Sequence, residues 1–153
     1  MTDELPTVTF KAIGIVRNGI TERKGTQLSW RGVVSNIVIN PSLTEALEGL
    51  EEYSHIIVLF WPHQVDTTAE LPTKRHPMRR EELPLVGILA WRSPERPNPI
   101  GKTTARLLQR QGNILRVEGL DALDGTPIID IKPYIPEWDS ATDAKVPQWL
   151  TNQ

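Results

Sequence analysis

The stretch WRSPERPNPIG (91–101) places three prolines, two arginines and an asparagine within eleven positions. Each proline fixes φ and removes a backbone donor, so neither a helix interior nor a central strand fits there. What is left is an extended, pre-ordered segment with little entropy to lose on binding. Arg92 and Arg96 carry planar guanidinium forks suited to a carboxylate or a phosphate. Asn98, held between Pro97 and Pro99, presents an amide in a fixed position, and Gly101 leads out of the segment. The pattern is either the wall of a ligand site or a rigid connection whose arginines lie in water.

Three further groups carry polar chemistry. His63 and Gln64 close the run HIIVLFWPHQ, where a strand end presents functional groups or simply meets solvent. In VEGLDALDGTPIIDIKPYIPEWD (117–139), Asp121, Asp124 and Asp130 fall on what reads as a hairpin. Asp124 precedes Gly125 and suits turn chemistry. Asp130, between isoleucines, is an outward strand residue or a buried, paired carboxylate. Glu118 and Asp121 have no evident structural duty, so Asp121 stands between a turn residue and a ligand or general base. Finally, KRHPMRR clusters Lys74, Arg75, Arg79 and Arg80 just before two glutamates, as a solvated loop or a phosphate contact.

The histidines do not suggest a metal. His55 and His63 bracket one apolar run and, if it is extended, lie about 26 Å apart at about 3.3 Å per residue. No metal ligation is expected. A Rossmann glycine fingerprint, a P-loop and a G-x-S-x-G elbow are all missing from the sequence.

The elements that must position these groups are mostly strands. TFKAIGIV (9–16) and GVVSNIVI (32–39) are rich in β-branched residues, and HIIVLFW (55–61) reads as a strand buried on both faces. LPLVGILAW (83–91), TTARLLQ (103–109), NILRVEG (113–119) and TPIIDIK (126–132) continue the series, with hairpin turns at QRQGN and DGT. One helix is expected in PSLTEALEGL, with Ser42 as N-cap, Glu45 completing a capping box, and Leu43, Leu47 and Leu50 on one face before Gly49. Residues 62–82 read as a long polar loop, and Trp149 in the tail KVPQWLTNQ as a docking side chain. The fold expected is all-β, a barrel with one short helix and one long loop, in a single domain over 1–153.

Composition agrees. The 153 residues are 39% hydrophobic and 24% charged, enough for one core and inconsistent with disorder throughout. Zero cysteines exclude thiol nucleophiles, zinc–thiolate sites and disulfides. The net charge of −2 argues against coating nucleic acid non-specifically, though a local basic patch is compatible with RNA. There is no long apolar run and no basic-then-apolar leader pattern, so the expected location is cytoplasmic, with no membrane partner.

Taken together, AIGIVRN, LEGLEEYSHIIVLFWPHQ, VGILAWRSPERPNPIG and GLDALDGTPIIDIKPYIP occur in the order and spacing of one family. The chain resembles the tRNA methyltransferase O (TrmO, TsaA-like or YaeB-like) family over roughly residues 9–140, in its compact form without the additional C-terminal domain of longer members. Segment 17–31 also resembles the compact form. The resemblance implies a single-sheeted β-barrel, a homodimer, and S-adenosylmethionine as cofactor. It further implies methylation of N6 of threonylcarbamoyladenosine at position 37 of tRNA. The cofactor contacts it implies are His63, Gln64, Arg92, Lys102 and Glu118, Gly119, Leu120 and Asp121. Arg96, Pro97, Asn98, Pro99 and Gly101 would shape the pocket, Asp121 would act as base, and Lys74, Arg75, Arg79 and Arg80 would meet RNA. A small-molecule methyltransferase and a non-catalytic dimeric S-adenosylmethionine-binding module are the alternative readings.

Overall fold

The computed structural model of the protein describes residues 4–22 and 29–151. Part of segment 17–31, residues 23–28, therefore lies outside the described residues. The strands are β1 (Gly14–Arg17), β2 (Val34–Ile39), β3 (His55–Phe60), β4 (Lys74–Arg75), β5 (Val86–Gly87), β6 (Gly101–Gln111), β7 (Ile114–Glu118) and β8 (Pro127–Pro133). The chain forms two compact units, Met1–His63 with Gly101–Tyr134, and Gln64–Ile100 with Ile135–Gln153.

The first unit is a closed six-stranded barrel in the order β1-β2-β7-β6-β3-β8, antiparallel throughout. Closure leaves no unpaired edge. Alternate residues point inward: Val16, Ile37, Ile56, Val58, Leu115, Val117 and Ile128 are fully buried and form one core with Ile39, Phe60, Ala105 and Leu107. Each such side chain contributes about 1.5–3 kcal/mol by leaving water. The HIIVLF run was expected to be buried on both faces; instead His55, Ile57 and Leu59 are only half-buried, because a barrel has one inside. Gly101 lies opposite Phe60, and a Cβ there would run into the Phe60 ring, which explains glycine at the start of β6.

Several other expectations change. Only the last residues of 9–16 join a strand, while β6 runs unbroken to Gln111 and turns at Gly112, whose φ is +60°. PSLTEAL is a 3-10 segment (Pro41–Leu47) rather than an α-helix. Its cap is Asn40, not Ser42: the Asn40 Oδ1 accepts from the Ser42 backbone N–H at 3.0 Å, since Pro41 occupies the first helical position. Leu47 is buried, and Leu43 and Leu50 pack against the same core, as expected. Residues 117–139 are not a hairpin. β7 pairs with β2 and β6, whereas β8 pairs with β1 and β3, so the 119–126 connection crosses one end of the barrel.

In the second unit, LPLVGILAW is not a strand. It yields only Val86–Gly87, paired with Lys74–Arg75, followed by a 3-10 turn at Ile88–Ala90. The long polar stretch therefore has structure of its own. Pro77 and Pro99 are fully buried, and Leu83 and Ile88 nearly so. Two single-turn helices, α1 (Pro136–Asp139) and α2 (Gln148–Thr151), complete the unit, and Trp149 of α2 meets Trp91 at a ring-centroid distance of 5.7 Å.

Candidate active site at one end of the barrel

Antiparallel pairing throughout the barrel has a geometric consequence. The ends of β1, β3 and β7 and the starts of β2, β6 and β8 meet at the same end. That end holds His63 after β3, Lys102 near the start of β6, and Glu118 to Asp121 after β7. It thus gathers every predicted cofactor residue of the first unit from three separate stretches of sequence.

The 119–126 connection closes this end. Leu120 and Ala122 are buried with the core, and Gly119, at φ +88°, turns the chain where a Cβ would meet nothing within 4 Å. The Gly119 N–H donates to the Val33 carbonyl at 2.9 Å. Asp121 is half-buried between Leu120 and Ala122. Lys102 is exposed and donates from Nζ to the Thr104 Oγ1 at 3.2 Å. Lys102 lies four residues along β6 from Arg106, the partner of Glu118, or about 13 Å from it. The two can act on one ligand only if it spans that distance.

Asp124 has a larger task than its local turn. The turn is present, with the Thr126 N–H donating to the Leu123 carbonyl and Gly125 at φ +85°. Its Oδ1 also accepts the backbone N–H groups of Asn18 and Gly19 at 2.8 and 3.1 Å, more than a hundred residues away in sequence. Those two hydrogen bonds, Asn18's first, hold the Asp124 carboxyl below the usual range, with the Arg17 guanidinium at 3.7 Å adding to them. His63 faces the same turn: its Nδ1 is 3.5 Å from the Thr126 Oγ1.

Asn18 is the residue that reading the sequence for chemistry missed. Its Nδ2 donates to the Ser35 Oγ at 3.0 Å and to the Ala122 carbonyl at 2.9 Å, while its Oδ1 accepts the Ile20 N–H. It ties β1, β2 and the crossing connection together beneath the site. The only local signal was an Asn-Gly step after a strand. Asp130 proves to be the outward residue, half-exposed and paired with the Lys132 Nζ at 3.1 Å.

In the second unit, Arg92 is exposed, and Gln64 is exposed at the unit's first position. Arg96 is committed to its own segment, donating to the Trp91 and Ser93 carbonyls at 2.8 and 3.1 Å. The Ile100 N–H closes back on the Asn98 carbonyl at 2.7 Å, and Pro97 and Asn98 are exposed beside buried Pro99. Arg75 and Arg79 both pair with Glu95, and Arg80 with Glu82, while Lys74 is exposed in β4. The hydrogen bond from Arg79, then the charges of Arg75 and Arg79, hold the Glu95 carboxyl below its ordinary value. Among the described residues, no group of three or more His, Asp or Glu is placed to hold a metal. No helix among them is long and apolar enough to cross a membrane.

Comparison with known proteins agrees with this architecture. Residues 21–140 match the model of the tRNA-methyltransferase O N-terminal domain. A probable S-adenosyl-L-methionine-binding protein of Pyrococcus abyssi is 36% identical over 94% of this chain and 76% of its own length. One from Methanothermobacter thermautotrophicus is 38% identical over 87% and 94%. The tRNA (adenine(37)-N6)-methyltransferase of Escherichia coli K12 is 35% identical over 88% of this chain but only 61% of its own length. The crystal structure of TrmO from Pseudomonas aeruginosa superposes with a TM-score of 0.72 at 32% identity, covering 92% of this chain and 62% of that one.

Proposed function

This chain belongs to the tRNA-methyltransferase O family, and from that premise we propose that it is an S-adenosylmethionine-dependent methyltransferase. We propose further that its acceptor is N6 of threonylcarbamoyladenosine at position 37 of tRNA. The observation that carries the reading is the barrel end, which holds His63, Lys102 and Glu118–Asp121 from separate strands above a buried floor. It is supported by relatives of both kinds, named for the cofactor and for the tRNA reaction.

The groups at that end fit the cofactor. Glu118 offers a carboxylate to an ammonium or to ribose hydroxyls, and the open space at Gly119 leaves backbone accessible. When bound, S-adenosylmethionine supplies an electrophilic methyl group on a sulfonium. The acceptor nitrogen, between a purine and a carbonyl, is a poor nucleophile until its proton leaves. Asp121 takes that proton, and the remaining barrel groups hold the two reactants in line. In the second unit Arg92 and Gln64 are assigned to the cofactor, and Arg96, Pro97, Asn98 and Pro99 to the rigid segment that carries Arg92. A homodimer and a cytoplasmic location belong to the same proposal, as does treating 1–153 as one cofactor-binding domain.

The deciding experiment incubates the purified protein with radiolabelled S-adenosylmethionine and two tRNA pools, with and without threonylcarbamoyladenosine. Label entering only the modified pool is the expected result. Label in neither pool, with cofactor binding intact by calorimetry, would replace this reading with a small-molecule acceptor or a non-catalytic binding module.

A further inference from the structure

The barrel register creates a feature invisible in the linear sequence. Arg17 lies opposite Asn36, Asn36 opposite Arg116, and Arg116 opposite Gln109, so the four residues form one row across β1, β2, β7 and β6. Arg17, Asn36, Arg116 and Gln109 are all on the exposed side, while Val16, Ile37 and Leu115 beside them point into the core. With strands about 4.8 Å apart, the two arginines stand about 10 Å from each other and the whole row spans about 15 Å, both measured along the curved barrel wall.

Resting on the tRNA reading above, we propose that this row holds the sugar–phosphate backbone of the RNA substrate. Two shallow concavities lie along it. One, of about 240 Å³, is lined by Arg17, Asn18, Ser35, Asn36 and Arg116 together with Val34. The other, of about 220 Å³, continues past Arg116 to Gln109 and Gln111. Among the described residues Arg116 makes no ion pair. Arg17 approaches Asp124 only at 3.7 Å, longer than a hydrogen bond, and is half-exposed.

The chemistry favours a phosphodiester strand. Guanidinium forks bind phosphate oxygens in pairs, and the amides between and beyond them add neutral donors at the same level. Cross-strand neighbours of like charge destabilise a sheet, whereas an amide between two arginines avoids that cost without neutralising either. One flank of the row carries no acid, and the acid on the other has a cationic neighbour across the sheet. On one side run Ile15, Val38 and Ile114; on the other, Glu118 is faced directly by Arg106. A row that is open, follows the barrel wall and is longer than one phosphate suits a chain of phosphates better than a single enclosed anion.

The test measures tRNA binding over a salt series for the full chain, for Arg116→Gln, for Asn36→Asp and for Arg116→Lys. For Arg116→Gln the slope of log K against log[salt] should shrink by about 0.7–0.9, one phosphate contact, with KM for tRNA raised and KM for S-adenosylmethionine unchanged. Asn36→Asp should weaken tRNA binding further, and Arg116→Lys should restore most of the slope. If the unaltered chain binds tRNA while Arg116→Gln and Asn36→Asp leave affinity and slope unchanged, the row is not the contact and the methyltransferase reading stands. If the unaltered chain binds no tRNA, the row and the tRNA reading fall together.

Discussion

In the 64–100 segment four of the five arginines are already engaged: Arg75 and Arg79 on Glu95, Arg80 on Glu82, and Arg96 on two carbonyls of its own loop. On the barrel, Arg110 is similarly held by Glu51, but among the described residues Arg116 has no carboxylate partner and Arg17 only a distant one. The difference follows from what each region can bury. The barrel has a continuous apolar interior around which its strands close. The 64–100 segment buries few apolar side chains and uses ion pairs and carbonyl contacts to fix its path. Arginines that serve as cross-links are poor candidates for ligands, which leaves Arg92 in one region and Arg17, Arg106 and Arg116 on the barrel among the arginines without a close carboxylate partner.

The largest effect that separates structural from chemical use lies in two aspartates three residues apart. Asp121→Asn should lower turnover about 100-fold or more while changing cofactor affinity less than about twofold, measured by single-turnover kinetics and calorimetry. Equal loss of both would reduce Asp121 to a binding residue. A purely structural perturbation of the barrel end should come from Gly101→Ala, whose new Cβ meets the Phe60 ring. It should destabilise by about 1–3 kcal/mol in urea melts, and adding Phe60→Leu should recover part of the loss.

Asp124→Asn should cost less, about 1 kcal/mol, by weakening the bonds that anchor Asn18 and Gly19. Because the folded-state pKa of Asp124 is lowered, its contribution is present above the unfolded value near 4 and is lost as pH falls through the folded value. The variant should therefore show a shallower loss of stability below about pH 4. Smallest of all, Glu95→Gln should cost under about 1 kcal/mol, since its partners are partly solvated, and the cost should shrink at high salt. A cost as large as that of Gly101→Ala would mean that the ion pairs of the second unit are more than surface links.

Much of the barrel was legible because short runs rich in β-branched and apolar residues favour strands, although such runs do not report which face is inside. The strands around 32–39, 55–60, 114–118 and 127–133 were recognisable for that reason. LPLVGILAW failed because a short apolar run says nothing about pairing partners, and here only two of its residues found one. Ser42 lost the cap to Asn40 because proline at 41 shifts the helix start by two positions. The rigidity of 91–101 and the turn at Asp124–Gly125 were readable from proline and glycine chemistry. Asn18's three-way anchoring was not, since its partners lie 17 and 104 residues away.

The sequence alone determined the class of fold, the family, and the identity of the polar groups near the strand ends, because side-chain period, turn chemistry and long motifs are local properties. Tertiary structure decided which strand lies beside which. That order sends the 119–126 connection across the barrel end, gives Asp124 a duty to Asn18 and Gly19, and aligns Arg17, Asn36 and Arg116 in one row. Register is fixed by burying one face of every strand at once, a condition that no single segment carries by itself.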